Sequence, residues 1–173
     1  IAETGAAGLS ARPALRAGAG LVTVASPRGA LAVNAAALTA VMVREIGTAV
    51  DFATYLEDAR LNACVIGPGA GIGQRTRDMA LTALSGPLAV VLDADALTSF
   101  ADAPERLFES IKAGHDPQVV LTPHEGEFPR LFSDISNKYP GRSKLERVRD
   151  AAERSGAVVL LKGSDTVIAS PDG

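Results

Sequence analysis

Aromatic residues are scarce in this chain, with no tryptophan, two tyrosines and five phenylalanines among 173 residues. A core packed mainly on aromatic rings is thereby excluded, and Ala, Val, Leu and Gly remain, the palette of a parallel sheet covered by alanine-rich helices. There is one cysteine, Cys64, so no internal disulfide forms. Its place in the apolar run Ala63 to Ile66 marks it as a small buried hydrophobe rather than a nucleophile. Histidine occurs twice, with no second ligand at zinc spacing from His124, which argues against a zinc centre. Basic residues are not in excess: 17 Lys and Arg stand against 20 Asp and Glu, a net charge of −3. A nucleic-acid backbone partner needs clustered basic residues and is not expected, whereas a small anion needs only a local site. No apolar run approaches the roughly 20 residues of a membrane span, and no charged-then-apolar leader opens the chain. The expectation is a soluble, cytoplasmic protein with neither nucleic-acid nor membrane partner.

What is present is a repeated alternation. The length suits one domain able to bury roughly 70% of its unfolded surface. Helical spacing over about Gly5 to Ala17 is followed by a strand at Leu21 to Ala25 and an alanine-rich helix over about Arg28 to Leu38. Strands follow at Ala63 to Gly67, Leu88 to Leu92, Gln118 to Thr122 and Ala157 to Leu161. Between them lie helices near Gln74 to Leu84, Pro104 to Ala113, Gly126 to Phe132 and Ser143 to Arg154, with a polar connector through Pro140. Asp165 to Ala169, reached through only Lys162-Gly-Ser, reads as a hairpin partner of the preceding strand. Continuous apolar strands alternating with helices predict a doubly wound, mostly parallel sheet with both faces covered. Pro13 conflicts with the first helix, where a proline ordinarily costs a hydrogen bond, so that boundary stays open. The chain has no initiating Met and ends on the turn signal Pro171-Asp-Gly173, so the protein is expected to continue beyond both termini.

In open α/β sheets ligands bind beyond the carboxyl ends of the strands. The residues there are Gly67-Pro-Gly-Ala-Gly71, Asp93-Ala-Asp95, Thr122-Pro-His-Glu-Gly-Glu127 and Lys162-Gly-Ser-Asp-Thr166. The glycine loop lets backbone N–H groups approach an anion at a helix N-terminus, or serves only as a tight strand-to-helix turn. It is neither a P-loop nor a strict G-x-G-x-x-G fingerprint, which disfavours hydride-transfer use. Asp93 and Asp95 alternate at a strand end and therefore point to opposite sides. Asp93 or Asp95 is expected to organise Mg²⁺-bound water or substrate hydroxyls, the alternative reading being a helix N-cap or turn. His124 suits a substrate contact through its imidazole, and His115 reads as an exposed loop residue. Lys162 is placed to neutralise phosphate charge, its bland alternative being a solvated strand end.

Taken together, Gly5-Ala-Ala through Val24, the glycine loop, Leu92-Asp-Ala-Asp-Ala-Leu97, Leu121-Thr-Pro-His-Glu-Gly-Glu-Phe128 and Leu161-Lys-Gly-Ser-Asp-Thr166 resemble the NAD(P)H-hydrate dehydratase family. That resemblance implies a ribokinase-like three-layer α/β sandwich with a mostly parallel central sheet. The chain would form a single domain, 1–173, incomplete at both ends and lacking the first strand. It further implies repair of NADH or NADPH from its hydrate, with ADP or ATP as co-substrate, Mg²⁺ as cofactor and a homo-oligomeric assembly. On matching positions, a turn at Gly5, Ala6 and Ala7, together with Gly69 or Gly71 and His124, would contact the hydrated nicotinamide nucleotide. Lys162, Gly163, Ser164, Asp165 and Thr166 would line the adenine-nucleotide site.

One departure follows. Family members carry a later Gly-Ser-Gly-Asp-like stretch whose aspartate takes the hydroxyl proton, and the present sequence stops before it. No general base is therefore named, and residues 1–173 alone are expected to be inactive. Two rival readings are a ribokinase-like kinase acting on a sugar or vitamin precursor and a non-catalytic nucleotide-binding module.

Overall fold

The computed structural model describes residues 4–114, 118–138 and 141–173, with the side chains of 4, 137 and 138 left undescribed. His115, Pro140 and the first three residues lie outside the described set. The chain opens with α1 (Thr4–Arg16), β1 (Thr23–Ser26), α2 (Arg28–Ala37) and β2 (Met42–Glu45). These four pack on their own small core of Ala11, Val24, Leu38 and Val41. β1 and β2 pair in parallel, from Thr23 opposite Met42 to Ser26 opposite Glu45. Pro13 does not stop α1. The bond it removes is the one to the carbonyl of Leu9, an exposed residue.

A helix that the sequence did not announce, α3 (Ala49–Leu56), joins this unit to the rest. Its start is fixed by a capping box: Thr48 accepts from the Asp51 N–H while the Asp51 carboxylate accepts from the Thr48 N–H. Ile46 and Phe52 enter the main core. From α4 (Gln74–Leu84), Arg75 reaches back to the carbonyls of Ile46 and Gly47.

The larger sheet holds β3 (Ala63–Ile66), β4 (Ala89–Leu92), β5 (Val119–Leu121), β6 (Val158–Leu161) and β7 (Val167–Ala169), in that spatial order. The first four strands are parallel, and β7 runs antiparallel to β6 as the hairpin expected of it. The intervening helices are α5 (Ala94–Ser99), α6 (Pro104–Ala113), α7 (Phe128–Leu131), α8 (Ser133–Lys138) and α9 (Lys144–Ser155). Two sequence expectations change here. The polar connector contains α8, and the helix assigned to Gly126 to Phe132 shrinks to α7 because residues 124–127 form a turn of their own. α9 begins on a Ser143–Glu146 capping box and ends on Gly156 in the left-handed region, φ 73°.

Parallel strands that follow one another in one direction, linked by right-handed crossovers, send their connecting helices to the same face. Burial agrees. Val90, Leu92, Val119, Leu121, Val159 and Leu161 are buried, whereas Val91, Val120 and Leu160 on the alternate positions are only partly so. At the two edges of that second face Val65 is 54% and Ile168 61% exposed. Among the described residues the two faces are therefore covered unequally, not equally as the apolar strands suggested. The few aromatics gather in the helical layer, where Phe108 and Phe132 stack at 5.3 Å and Phe128 meets Phe132 at 4.9 Å.

Cys64 on β3 is half-buried, and burial pushes its thiol up to about 12. Near neutral pH its thiolate fraction is then about a thousandfold below that of an ordinary cysteine. Labelling of the native protein by a maleimide, followed by mass spectrometry, is expected to be slower than labelling of the denatured chain by a comparable factor. Equal rates would show Cys64 to be an ordinary exposed thiol.

Candidate active site at the carboxyl edge of the five-stranded sheet

Four connections converge where β3, β4, β5 and β6 end. Leaving β4, Asp93 caps α5, its Oδ1 accepting from the Ala94 N–H at 2.8 Å. The same oxygen accepts from Lys162 Nζ at 2.6 Å, so the lysine at the end of β6 reaches past β5 to the end of β4. Ala94 has φ 45°, the one positive value among the described non-glycine residues, and this places backbone strain directly beside the ion pair.

The expectation that Asp93 and Asp95 alternate on a strand is corrected. Neither lies in β4; Asp93 is a helix cap and Asp95 occupies the first turn of α5. Asp95 faces the glycine loop, accepting from the Gly71 N–H at 2.9 Å. Two residues on, the Gly73 N–H donates to Ser99 Oγ at 3.0 Å, and Thr76 Oγ1 donates to the Gly71 carbonyl at 2.5 Å. Side chains of α4 and α5 thus hold the loop in shape. Gly67, Gly69, Gly71 and Gly73 all have positive φ, and the Gly71 amide that the sequence offered to a ligand is already taken by a carboxylate.

His124 sits beside Lys162. The two form an isolated parallel bridge, and the Lys162 N–H donates to the Pro123 carbonyl at 2.8 Å. Its Nδ1 accepts from the N–H groups of Gly126 at 2.9 Å and Glu127 at 3.2 Å, which leaves the ring proton on Nε2. Nε2 lies 3.3 Å from Glu127 Oε1, while Glu127 Oε2 accepts from the His124 N–H at 2.9 Å. Glu127 is only 7% exposed, so a buried carboxylate orients the exposed imidazole. Sequence reading noted Glu127 as a neighbour but gave it no task. The available signal was its spacing of three from His124, which a tight turn converts into contact.

The Gly163 to Thr166 connection is exposed and internally tied, with Thr166 Oγ1 donating to the Gly163 carbonyl at 3.3 Å. Asp165 bonds Lys144 of α9 rather than facing Lys162. Hydrogen bonding to Lys144 holds the Asp165 carboxyl below its ordinary value, and the same bond raises the Lys144 ammonium. Gly5, Ala6 and Ala7 are not a turn; they belong to α1, which packs against α2 and β1. Their sequence suits a helix as well as a turn because alanine is the best helix former. Among the described residues no group of three or more His, Cys, Asp or Glu side chains forms a metal cage, and no helix is long and apolar enough to cross a membrane.

Known proteins resemble this chain in sequence and in backbone. The family model described as NAD(P)H-hydrate dehydratase matches residues 2–173. The bifunctional NAD(P)H-hydrate repair enzyme Nnr of Mycobacterium tuberculosis is 39% identical over 150 residues, 80% of this chain and 30% of that protein. Nnr of Moorella thermoacetica is 37% identical over 179 residues, covering 98% and 33%. The chain thus spans about a third of the length of the curated relatives it matches. Among solved structures, the ADP/ATP-dependent NAD(P)H-hydrate dehydratase from Bacillus subtilis, co-crystallised with ATP and Mg²⁺, superposes with a TM-score of 0.77 at 28% identity. That match covers 99% of this chain and 57% of the other, and it extends to the ribokinase-like fold. A sequence match over nearly the whole chain and a shared backbone agree, and the chain belongs to the NAD(P)H-hydrate dehydratase family.

Proposed function

We propose that this domain takes part in nucleotide-dependent dehydration of NAD(P)H hydrate back to NAD(P)H, in the cytoplasm and within a homo-oligomer. The reading rests chiefly on Lys162, whose ammonium lies 2.6 Å from Asp93 and whose backbone is in register with His124. A cation paired with a carboxylate, on the residue whose backbone neighbours His124, suits an edge where a phosphate and the hydrated nicotinamide ring would meet. In the reaction, ADP or ATP phosphorylates the hydrate hydroxyl, whose proton is released; the lone pair of the ring nitrogen then expels phosphate, a far better leaving group than hydroxide, and the adjacent ring carbon gives up a proton to restore the dihydropyridine. Phosphoryl transfer of this kind needs positioned positive charge more than covalent chemistry.

Each residue has a task in this scheme. His124, exposed and oriented by Glu127, contacts the hydrated nicotinamide nucleotide through its imidazole. Gly69 and the loop around Gly71 let the nucleotide backbone approach closely, with Asp95 keeping the loop in shape. Gly5, Ala6 and Ala7 contribute a small-residue surface on the first turns of α1. Lys162 neutralises charge on the transferred phosphoryl group, and Gly163, Ser164, Asp165 and Thr166 cradle the adenine nucleotide.

Mg²⁺ fits this edge as a partner of phosphate oxygens rather than as a caged ion, because the described residues offer isolated carboxylates and no cluster. Asp93, whose described bonds use only Oδ1, would be the carboxylate to hold it. When bound, Mg²⁺ supplies charge neutralisation to the phosphates.

The test uses protein from the complete reading frame with NADH hydrate, Mg²⁺ and either ADP or ATP, following the return of reduced-nicotinamide absorbance. Recovery that depends on nucleotide supports the dehydratase and identifies the donor. Nucleotide binding without recovery would replace it with the kinase reading, which a screen of stable alcohols then examines.

A further inference from the structure

One helix end holds both loops that carry the charged groups of the site. In the first turn of α9, Lys144 Nζ donates to the Asp165 carbonyl at 2.6 Å and to Asp165 Oδ1 at 3.0 Å, and pairs with Glu125 Oε1 at 3.4 Å. Asp165 belongs to the loop after β6, and Glu125 to the turn after β5 that contains His124. Three acceptors match the three N–H groups of an ammonium. Lys144 is seated deeply for a lysine, with its side chain 12% exposed, and a Cβ placed on Gly163 would come within 2.6 Å of Nζ. One turn further along, Arg147 pairs with Glu125 at 3.4 Å and lies over the Phe128 ring at 5.6 Å. The first turn of α9 does not depend on Lys144 for its own shape, because Ser143 and Glu146 cap it.

The geometry points to Lys144 as a positioning residue that clamps the Gly163 to Thr166 loop against the His124 to Glu127 turn and so preorganises the adenine-nucleotide site. The inference rests on the reading of Lys162 to Thr166 as that site. With its donors used, Lys144 does not reach for the ligand; it acts through the loop. An exposed ion pair alone stabilises little. A bond to a backbone carbonyl combined with carboxylates from two separate loops does more, since it removes loop freedom that binding would otherwise have to remove.

The experiment measures ADP and ATP affinity, each with Mg²⁺, by calorimetry on the full chain carrying Lys144→Met, which keeps the apolar stem and deletes the donors. Binding of both nucleotides is expected to weaken by about tenfold, about 1.4 kcal/mol. The nucleotide KM should rise in step while kcat at saturation stays within about twofold, and amide exchange at residues 163–166 should quicken. Lys144→Arg, which keeps charge and donors, should stay within about threefold of wild type. Asp165→Asn, a change at an exposed position, gives a second variant with the same direction and a smaller factor should the methionine protein fold poorly. Wild-type affinity in both Lys144→Met and Asp165→Asn, or a fall in kcat with KM unchanged, overturns the positioning role. Failure of the wild-type protein itself to bind either nucleotide would instead remove the nucleotide-site reading, and the clamp with it.

Discussion

Replacing Lys162 with methionine is expected to lower nucleotide-dependent recovery of NADH by about a hundredfold or more, the scale on which removal of one positioned charge from a transition state is felt. Its ammonium is the cation 2.6 Å from Asp93, and no neighbouring side chain in the described network takes its place. Lys162 is partly solvated, so removing it leaves Asp93 accessible to water and should shift the thermal midpoint by only a few degrees. Steady-state rates with saturating nucleotide, measured beside a melting curve, separate the two effects. A variant that folds and retains activity within threefold would show that phosphate charge is neutralised elsewhere.

Gly67→Ala should damage stability more than a methyl added at Gly71 or Gly73 of the same loop. Gly67 has φ 133°, and a Cβ there would fall well inside the van der Waals radius of the Asp93 carbonyl oxygen. Backbone meets backbone, so no rotamer relieves the clash; β3 and the Asp93 turn must separate. The expected cost is about 3 kcal/mol or more, which for a domain of this size lowers the thermal midpoint by about 10 °C. Gly71→Ala is the control. Its φ is 82°, but nothing lies within 4 Å of the added methyl, so it should lose only the 1–2 kcal/mol of a left-handed alanine. Equal losses at the two positions would show that conformational strain, not the approach of Asp93, decides the role of Gly67. Differential scanning calorimetry of the three proteins checks this.

The strands were legible because Ala63 to Ile66, Ala89 to Leu92 and Val158 to Leu161 are continuous apolar runs bounded by turn residues. The same continuity misled about the faces. An apolar side chain at every position says that both faces tolerate burial, not that elements within these residues cover both. β2 was missed because Met42-Val-Arg-Glu45 carries charge on half its positions, and only its pairing with β1 makes it a strand. α5 and α8, each six residues, are shorter than the two turns over which helical periodicity becomes visible. Of the candidate site, Asp93 and Lys162 were legible as polar residues directly after apolar strands, and His124 as one three residues past the end of β5. Their mutual contacts were not, because Lys162 and Asp93 are 69 residues apart and meet only through sheet order. Lys144 carried no signal, lying in an ordinary charged helix start whose importance depends on which loops fold against it.

The larger sheet places its strands in the order in which the chain supplies them, β3 through β7. Among these five strands none has to be inserted between two earlier ones, so each of β4 to β7 finds its partner already delivered when it leaves the ribosome. At about 5–20 residues per second, the roughly 30 residues from the start of β3 to the end of β4 emerge within a few seconds, far longer than local helix formation takes. Assembly can therefore keep pace with synthesis. The growing sheet presents one fresh edge at a time, and the Lys162–Asp93 bond closes only after β6 has been laid down.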